Sequence, residues 1–110
     1  MRLRSTAAAP EEGVSHDLSL RKRVLLRGGE VPHLAQLART RLFPGQETSP
    51  HAHADLHEVF LVESGAGELV VDGVAHPLAP GDCAVVEPGE VHVLRCTGAE
   101  PLALVYFGVV

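Results

Sequence analysis

The sequence predicts a single all-β domain, a sandwich or closed barrel of short strands. Glycine and proline together make up 19 of the 110 residues (11 Gly and 8 Pro), above the usual share of roughly 12%. Turn dipeptides recur at close spacing, with PG at 44–45, 80–81 and 88–89 and DG at 72–73. No stretch longer than ten residues keeps a helical period of 3.6 without a breaker. The apolar runs between these turns are therefore predicted to be strands.

The N-terminal part of the chain divides into two segments. Residues 1–18 are polar, rich in alanine and without periodicity, so we predict a flexible tail there and a folded domain over residues 19–110. Two strands are predicted at the start of that domain, around Lys22–Leu26 and Leu34–Leu42. The first of them has no obvious partner in the chain, and open sheet edges invite pairing. We therefore predict a homodimer in which this N-terminal strand helps to bridge the subunits.

Composition excludes several classes of protein. Apolar residues make up 45% and charged residues 21%, which is ordinary for a globular domain. There is no apolar run long enough to cross a bilayer, so no membrane partner is expected. The N-terminus lacks the apolar core of a secretory signal. Two cysteines form no disulfide framework, and the predicted location is the reducing cytoplasm.

Basic residues are concentrated at the N-terminal end of a chain whose net charge is −5. The cluster Arg21-Lys22-Arg23 raises the question of nucleic-acid binding. It is too short to follow a phosphate backbone, carries no interleaved aromatic residues and leads directly into an apolar run. We therefore interpret it as the solvated start of a strand and expect no nucleic-acid partner.

Two hairpins are predicted in the second half of the chain. ELVVDGVAHPL reads as two strands joined at Asp72-Gly73, a pair suited to a type I′ turn. Further on, Cys83–Glu87 and Val91–Cys96 read as strands joined by a tight turn at Pro88-Gly89.

Three histidines and a glutamate carry the predicted chemistry. His51 and His53 are two residues apart, so on an extended segment both imidazoles lie on one face and suit a metal ion. His57 and Glu58 are adjacent and must face opposite sides of a strand. The face shared by His57 and Glu63 is the better candidate for solvent, which turns Glu58 inward, where a carboxylate needs a partner or a metal.

A further histidine has a similar setting. His92 shares a strand face with Leu94 and Cys96. If the second predicted hairpin packs opposite the first, His92 completes a set of three imidazole nitrogens and one carboxylate oxygen. The remaining histidines lie beside turns or in the tail and are expected at the surface: His16, His33 and His76.

The chain resembles the cupin superfamily, whose two motifs are G(X)5HXH(X)3-4E(X)6G and G(X)5PXG(X)2H(X)3N. The fixed positions that match are Gly45, His51, His53, Glu58 and Gly65 in the first motif and Gly81, Gly89 and His92 in the second. Glu87 and Cys96 stand where the second motif has Pro and Asn. The resemblance implies a jelly-roll β-barrel (a double-stranded β-helix) with a metal held inside by His51, His53, Glu58 and His92. Because some small cupins use a fourth histidine in place of the glutamate, His57 remains an alternative to Glu58.

Three imidazoles and a carboxylate suit one divalent transition metal per chain, and ligand type alone does not choose among Fe, Mn, Ni, Cu and Zn. We expect a metal-dependent oxidoreductase, of the dioxygenase type, that acts on a small organic molecule. The alternatives are a non-redox metal-dependent isomerase, lyase or decarboxylase, and a non-catalytic binding protein.

The substrate pocket is predicted from side chains that share faces with the ligands or lie near them. The candidates for its wall are Phe60, Val62, Leu94 and Tyr106. Arg39 and Arg41 share one face of the strand that precedes the first motif, where they either clamp an anionic substrate or lie on a solvated outer face.

Overall fold

The structure, a computed structural model, describes residues 1–14 and 17–110. His16, expected at the surface, lies outside the described residues. Nine strands follow one another: β1 Glu11–Val14, β2 Asp17–Arg27, β3 Leu34–Leu42, β4 His57–Ser64, β5 Gly67–Val71, β6 Val74–Leu78, β7 Cys83–Val86, β8 His92–Cys96 and β9 Leu102–Val109. No helix occurs in the described part of the chain, which confirms the all-β prediction. Nor does it contain a helix able to span a bilayer.

The strands form two antiparallel sheets. Six strands pair in the order β1-β2-β3-β9-β4-β7, and three pair in the order β6-β5-β8. Within the described residues the two sheets are not hydrogen-bonded into a closed barrel. Between β3 and β4, the long connection is tied to β8 by two isolated bridges, Glu47 with Arg95 and His51 with His92.

The hydrophobic core lies between the two sheets. Strand β9 alternates regularly between buried and half-buried positions, and Leu102 and Leu104 are fully buried. Such alternation is expected because successive side chains of a strand point to opposite faces. Ala38 and Leu42 of β3 continue the same layer, and the three-stranded sheet covers it with side chains such as Leu94.

The N-terminal segment differs from the prediction. The strand predicted at Lys22–Leu26 lies within β2, but it is partnered on both sides, by β1 and by β3. Strand β1 lies inside the segment predicted as a flexible tail. Because β2 begins at Asp17, the boundary predicted between residues 18 and 19 falls inside a strand.

One predicted hairpin is confirmed and the other is wrong. Strands β5 and β6 pair around Asp72 and Gly73, both with positive φ (46° and 82°), as a type I′ turn requires. Strands β7 and β8, by contrast, belong to different sheets, β7 pairing with β4 and β8 with β5. The segment between them bonds elsewhere, since the amide of Gly89 donates to the carbonyl of His53 over 2.7 Å.

Candidate metal centre

The four predicted ligands come together beside a cavity that residues of both sheets line. His51 and His53 lie on the connection between β3 and β4, Glu58 is the second residue of β4, and His92 is the first residue of β8. Each offers one ligand atom, and these atoms all lie within 4.8 Å of one another. The predicted inward orientation of Glu58 is confirmed, because its side chain faces this cluster.

Backbone contacts orient two of the imidazoles. The amide of His92 donates to the carbonyl of His51 over 2.9 Å, which holds the two residues side by side. Nδ1 of His51 lies 3.0 Å from the carbonyl oxygen of Ser49, and Nδ1 of His92 lies 3.0 Å from that of Glu90. A carbonyl at Nδ1 fixes the proton there and leaves Nε2 with a lone pair for a metal.

The chemistry of the donor set fits a divalent transition metal. Nε2 of His92 lies 3.2 Å from Oε1 of Glu58, and Nε2 of His53 lies 3.4 Å from Oε2. Nε2 of His53 is buried and makes no hydrogen bond within the described residues. A buried polar atom without a hydrogen bond is costly, and a metal at the centre of the cluster would satisfy it. These residues could therefore hold such an ion, and their role as ligands stays a prediction.

In the absence of a metal, Glu58 and His92 stabilise each other's charged forms. Burial opposes the charge on Glu58, but its hydrogen bond with His92 and the nearby imidazoles outweigh burial and lower its pKa. Burial also opposes the charge on His92, but the hydrogen bonds with Glu58 and the Glu90 carbonyl prevail and raise its pKa. Protons and a metal ion would thus compete for the same atoms.

We expect the metal-free protein to be most stable in mildly acidic solution. Because the pKa of His92 is raised in the folded state, its ionised imidazole stabilises the folded protein fully at pH values below the unfolded-state pKa of 6.5. This stabilisation is lost as the pH rises through the folded-state pKa. Because the pKa of Glu58 is lowered in the folded state, its carboxylate stabilises the folded protein at pH values above the unfolded-state pKa of 4.5. This stabilisation is lost as the pH falls through the folded-state pKa. Thermal unfolding of chelator-treated protein at several pH values measures the effect. Glu58→Gln should flatten the maximum, and a melting temperature that rises steadily through pH 8 would contradict the pairing.

His57, the alternative to Glu58, lies on the opposite face of β4. Its side chain is half exposed, and its Nε2 lies 2.7 Å from Oε2 of Glu87 on the neighbouring edge of the sheet. His33 and His76 are also exposed, as expected. The cluster within 4.8 Å does not include these three histidines.

A cavity of about 90 Å³ adjoins the four candidate ligands. Three of the predicted wall residues line it, namely Phe60, Leu94 and Tyr106. The rings of Phe60 and Tyr106 stack with their centroids 5.9 Å apart. Val62 shares a face with Phe60 but lies farther along β4, in the core rather than at the cavity.

The two arginines proposed as an anion clamp lie on the other face of β3. Thr40, between them in sequence, is buried and lines the cavity. Arg39 instead pairs with Glu63 over 2.6 Å, and the Arg41 guanidinium lies 5.8 Å from the ring centre of Phe43. Arg39 and Arg41 therefore line a separate groove on the outer face of the sheet.

Two polar side chains that line the cavity, Lys22 and Gln36, were not predicted from the sequence. The interpretation of Lys22 as a solvated residue is wrong, because it is buried, with 8% of its surface exposed. Its Nζ donates to Oε1 of Gln36 over 2.9 Å, and Nε2 of Gln36 donates to the Tyr106 hydroxyl over 3.4 Å. Burial raises the pKa of Tyr106, so the phenol keeps its proton. Strand parity was an available signal, since Leu20, Lys22 and Val24 share one face of β2.

The fold and the cluster of candidate ligands together define a double-stranded β-helix with a candidate metal centre between its two sheets. The profile of the Cupin_2 family, described as "Cupin domain", matches residues 38–108. The chain therefore belongs to the cupin family, as the two motifs indicated.

Curated relatives match part of their length. The chain is 34% identical over 68 residues to L-ectoine synthase from Halomonas elongata, covering 61% of this chain and 50% of the relative. It is 31% identical over 83 residues to an uncharacterized protein from Aquifex aeolicus, covering 76% of this chain and 66% of that protein. The chain thus spans half to two thirds of the length of these relatives.

Among solved structures, a predicted oxalate decarboxylase from Thermotoga maritima superposes with a TM-score of 0.90 over 99% of both chains at 21% identity. A sugar phosphate isomerase of the cupin superfamily from Silicibacter pomeroyi gives a TM-score of 0.79 at 21% identity, covering 96% of this chain and 74% of that one. At these identities the likeness establishes the fold alone.

Proposed function

We propose that this cupin is a metal-dependent enzyme that acts on a small organic molecule. The observation that carries the proposal is the buried, unbonded Nε2 of His53, which faces a carboxylate and two further imidazoles beside a cavity. One divalent transition metal, held by His51, His53, Glu58 and His92, would account for this arrangement. Three nitrogens and one oxygen fit Fe, Mn, Ni, Cu or Zn.

A metal in this position supplies Lewis acidity, or a place where substrate and dioxygen meet. The chain's own residues would do the rest. Phe60 and Leu94 present apolar surface that limits water in the cavity, while Lys22, Gln36 and Tyr106 offer polar groups that can orient a substrate.

The reaction type that this lining supports best is a non-redox one, such as isomerisation, elimination or decarboxylation. Polar groups that line the cavity suit a substrate that carries polar groups of its own. The curated relative from Halomonas elongata is named as a synthase, which supports the same choice. A dioxygenase is the second candidate, and the apolar surface of Phe60 and Leu94 favours it.

The deciding experiment compares turnover with and without oxygen. Protein loaded in turn with Fe(II), Mn(II) or Zn(II) is incubated with a panel of small carboxylic acids and sugar phosphates, and products are followed by mass spectrometry. We expect turnover under nitrogen, with Zn(II) or Mn(II) as effective as Fe(II). Product formation that requires oxygen would establish the dioxygenase instead, and binding without any product would support a non-catalytic role. Glu58→Gln serves as the ligand-deficient control and His57→Gln as the matched surface control.

We also propose that the protein is a homodimer joined through its N-terminal strands. Strand β1 is one edge of the six-stranded sheet, and an open edge presents unpaired backbone groups to a second copy. Light scattering at micromolar concentration should give twice the mass of the chain, and removal of residues 1–14 should shift the protein toward monomer. A full-length monomer at that concentration would contradict the proposal.

A further inference from the structure

Lys22 places a buried ammonium group in the same cavity as the four candidate ligands. Lys22 lines the cavity together with His51, His53, Glu58 and His92. Its backbone position also borders the outer groove, but its Nζ lies 2.9 Å from Oε1 of Gln36, which lines only the cavity. The neighbouring residues Arg21 and Arg23 alternate to the other face of β2, so the inward position of Lys22 follows from strand parity.

The surroundings of Lys22 leave its charge without a close counter-ion. Its hydrogen-bond partner, Gln36, is neutral, and within the described residues no carboxylate oxygen lies within 4.0 Å of Nζ. Glu12 and Glu58 act on it only at longer range, and burial prevails over their attraction and lowers the pKa of Lys22. Buried charges in proteins are normally paired, because an ammonium loses its hydration when it leaves water.

Gln36 holds Lys22 in one orientation. Its amide oxygen accepts from Nζ over 2.9 Å, and its amide nitrogen donates to the Tyr106 hydroxyl over 3.4 Å. An ammonium group has three N–H donors, so this contact leaves donors for a bound molecule. The hydrogen-bonded series Lys22–Gln36–Tyr106 therefore holds a positive charge in the cavity that the four candidate ligands also line.

We propose that Lys22 is the anion-binding residue of this cavity and that the ligand it selects is a small carboxylate. The carboxylate accepts a charge-assisted hydrogen bond from Nζ, while a second polar group of the same molecule reaches the metal, a step that rests on the proposed function. A volume of about 90 Å³ favours a small ligand. A single ammonium matches the single charge of a carboxylate better than the two charges of a phosphate.

The experiment uses malonate as the carboxylate probe and imidazole as a neutral probe that binds only the metal. Both are titrated into Co(II)-loaded protein, whose visible spectrum reports entry of a ligand. The variants are Lys22→Met and Lys22→Gln, with Arg21→Met as the matched control that removes an exposed charge from the same strand. We expect malonate to bind both Lys22 variants roughly ten- to a hundredfold more weakly. Imidazole affinity should be unchanged, and Arg21→Met should behave as the wild type.

A second arm does not depend on the metal. Malonate should raise the melting temperature of metal-free wild type and of Arg21→Met, because a ligand that binds only the folded state stabilises it. It should have no such effect on the Lys22 variants. Unchanged malonate affinity in the Lys22 variants, equal loss of malonate and imidazole binding, or the absence of malonate binding to wild type in both arms would each overturn the assignment. Failure to load metal would count against the proposed function, and the metal-free arm would still decide the role of Lys22.

Discussion

Replacement of His51 by Ala is expected to abolish metal binding and leave the fold intact. His51 supplies one of four candidate ligand atoms, and it lies on the connection between β3 and β4 rather than in the core. Loss of a direct ligand should weaken binding by at least the roughly 100-fold seen when residues behind the ligands are removed. The metal content measured after dialysis should fall from about one ion per chain to less than a tenth of that. Circular dichroism should remain that of a β-protein.

His57→Ala is the matched control for this experiment. It removes an imidazole only one residue from Glu58, but one that lies on the outer face of β4 beside Glu87. We expect it to retain full metal, whereas Glu58→Ala should lose it. Full metal in His51→Ala would refute the proposed ligand set, and loss of metal in His57→Ala would transfer the ligand role from Glu58 to His57.

Gly65→Ala is expected to cause a large loss of stability. Gly65 follows β4 with φ of +85°, which side chains rarely adopt. A Cβ there would overlap the carbonyl oxygen of Pro101 and lie 2.9 Å from Cα of Leu102. Because both obstacles are backbone atoms of a neighbouring segment, we expect a loss of at least about 3 kcal/mol in the free energy of unfolding. The melting temperature should fall by roughly 12–24 °C.

Gly81→Ala separates the effect of conformation from that of crowding. Gly81 also has a positive φ, +90°, but a Cβ would meet nothing within 4 Å. Its replacement should therefore carry the conformational cost alone, about 1 kcal/mol. Thermal melts of the two variants, measured in parallel, decide the matter. Equal losses of stability would mean that β4 and the segment at Pro101 do not approach as closely as described.

The sequence predicted most of the strands and the cluster residues His51, His53 and Glu58 because these are encoded locally. Period-two alternation and turn residues identify segments such as β3 and the β5–β6 hairpin without knowledge of their neighbours. The spacing of His51, His53 and Glu58 brings their side chains together over eight residues of chain. His92 was placed by its motif rather than by the predicted hairpin, which does not form.

What the sequence did not predict depends on pairing between distant segments. Strands β7 and β8 are separated by a short turn but pair with β4 and β5, and no local pattern distinguishes this arrangement from a hairpin. The groups that orient the imidazoles are backbone carbonyls, at Ser49 and Glu90, which any residue type could supply. Lys22 was wrongly predicted to be solvated, because the prediction relied on its charge and not on its position between two inward-facing apolar residues.

The cluster draws its side chains from both sheets, since Glu58 belongs to the six-stranded sheet and His92 to the three-stranded sheet. An ion bound by all four residues would be released whenever the two sheets separate at the cluster. Metal binding and local opening therefore exclude each other. Binding then suppresses opening by a factor that grows with the free metal concentration. Proteases act on transiently opened states. The lifetime of this protein inside a cell would in that case depend on the supply of its metal. Metal-free molecules would be degraded faster than metal-bound ones.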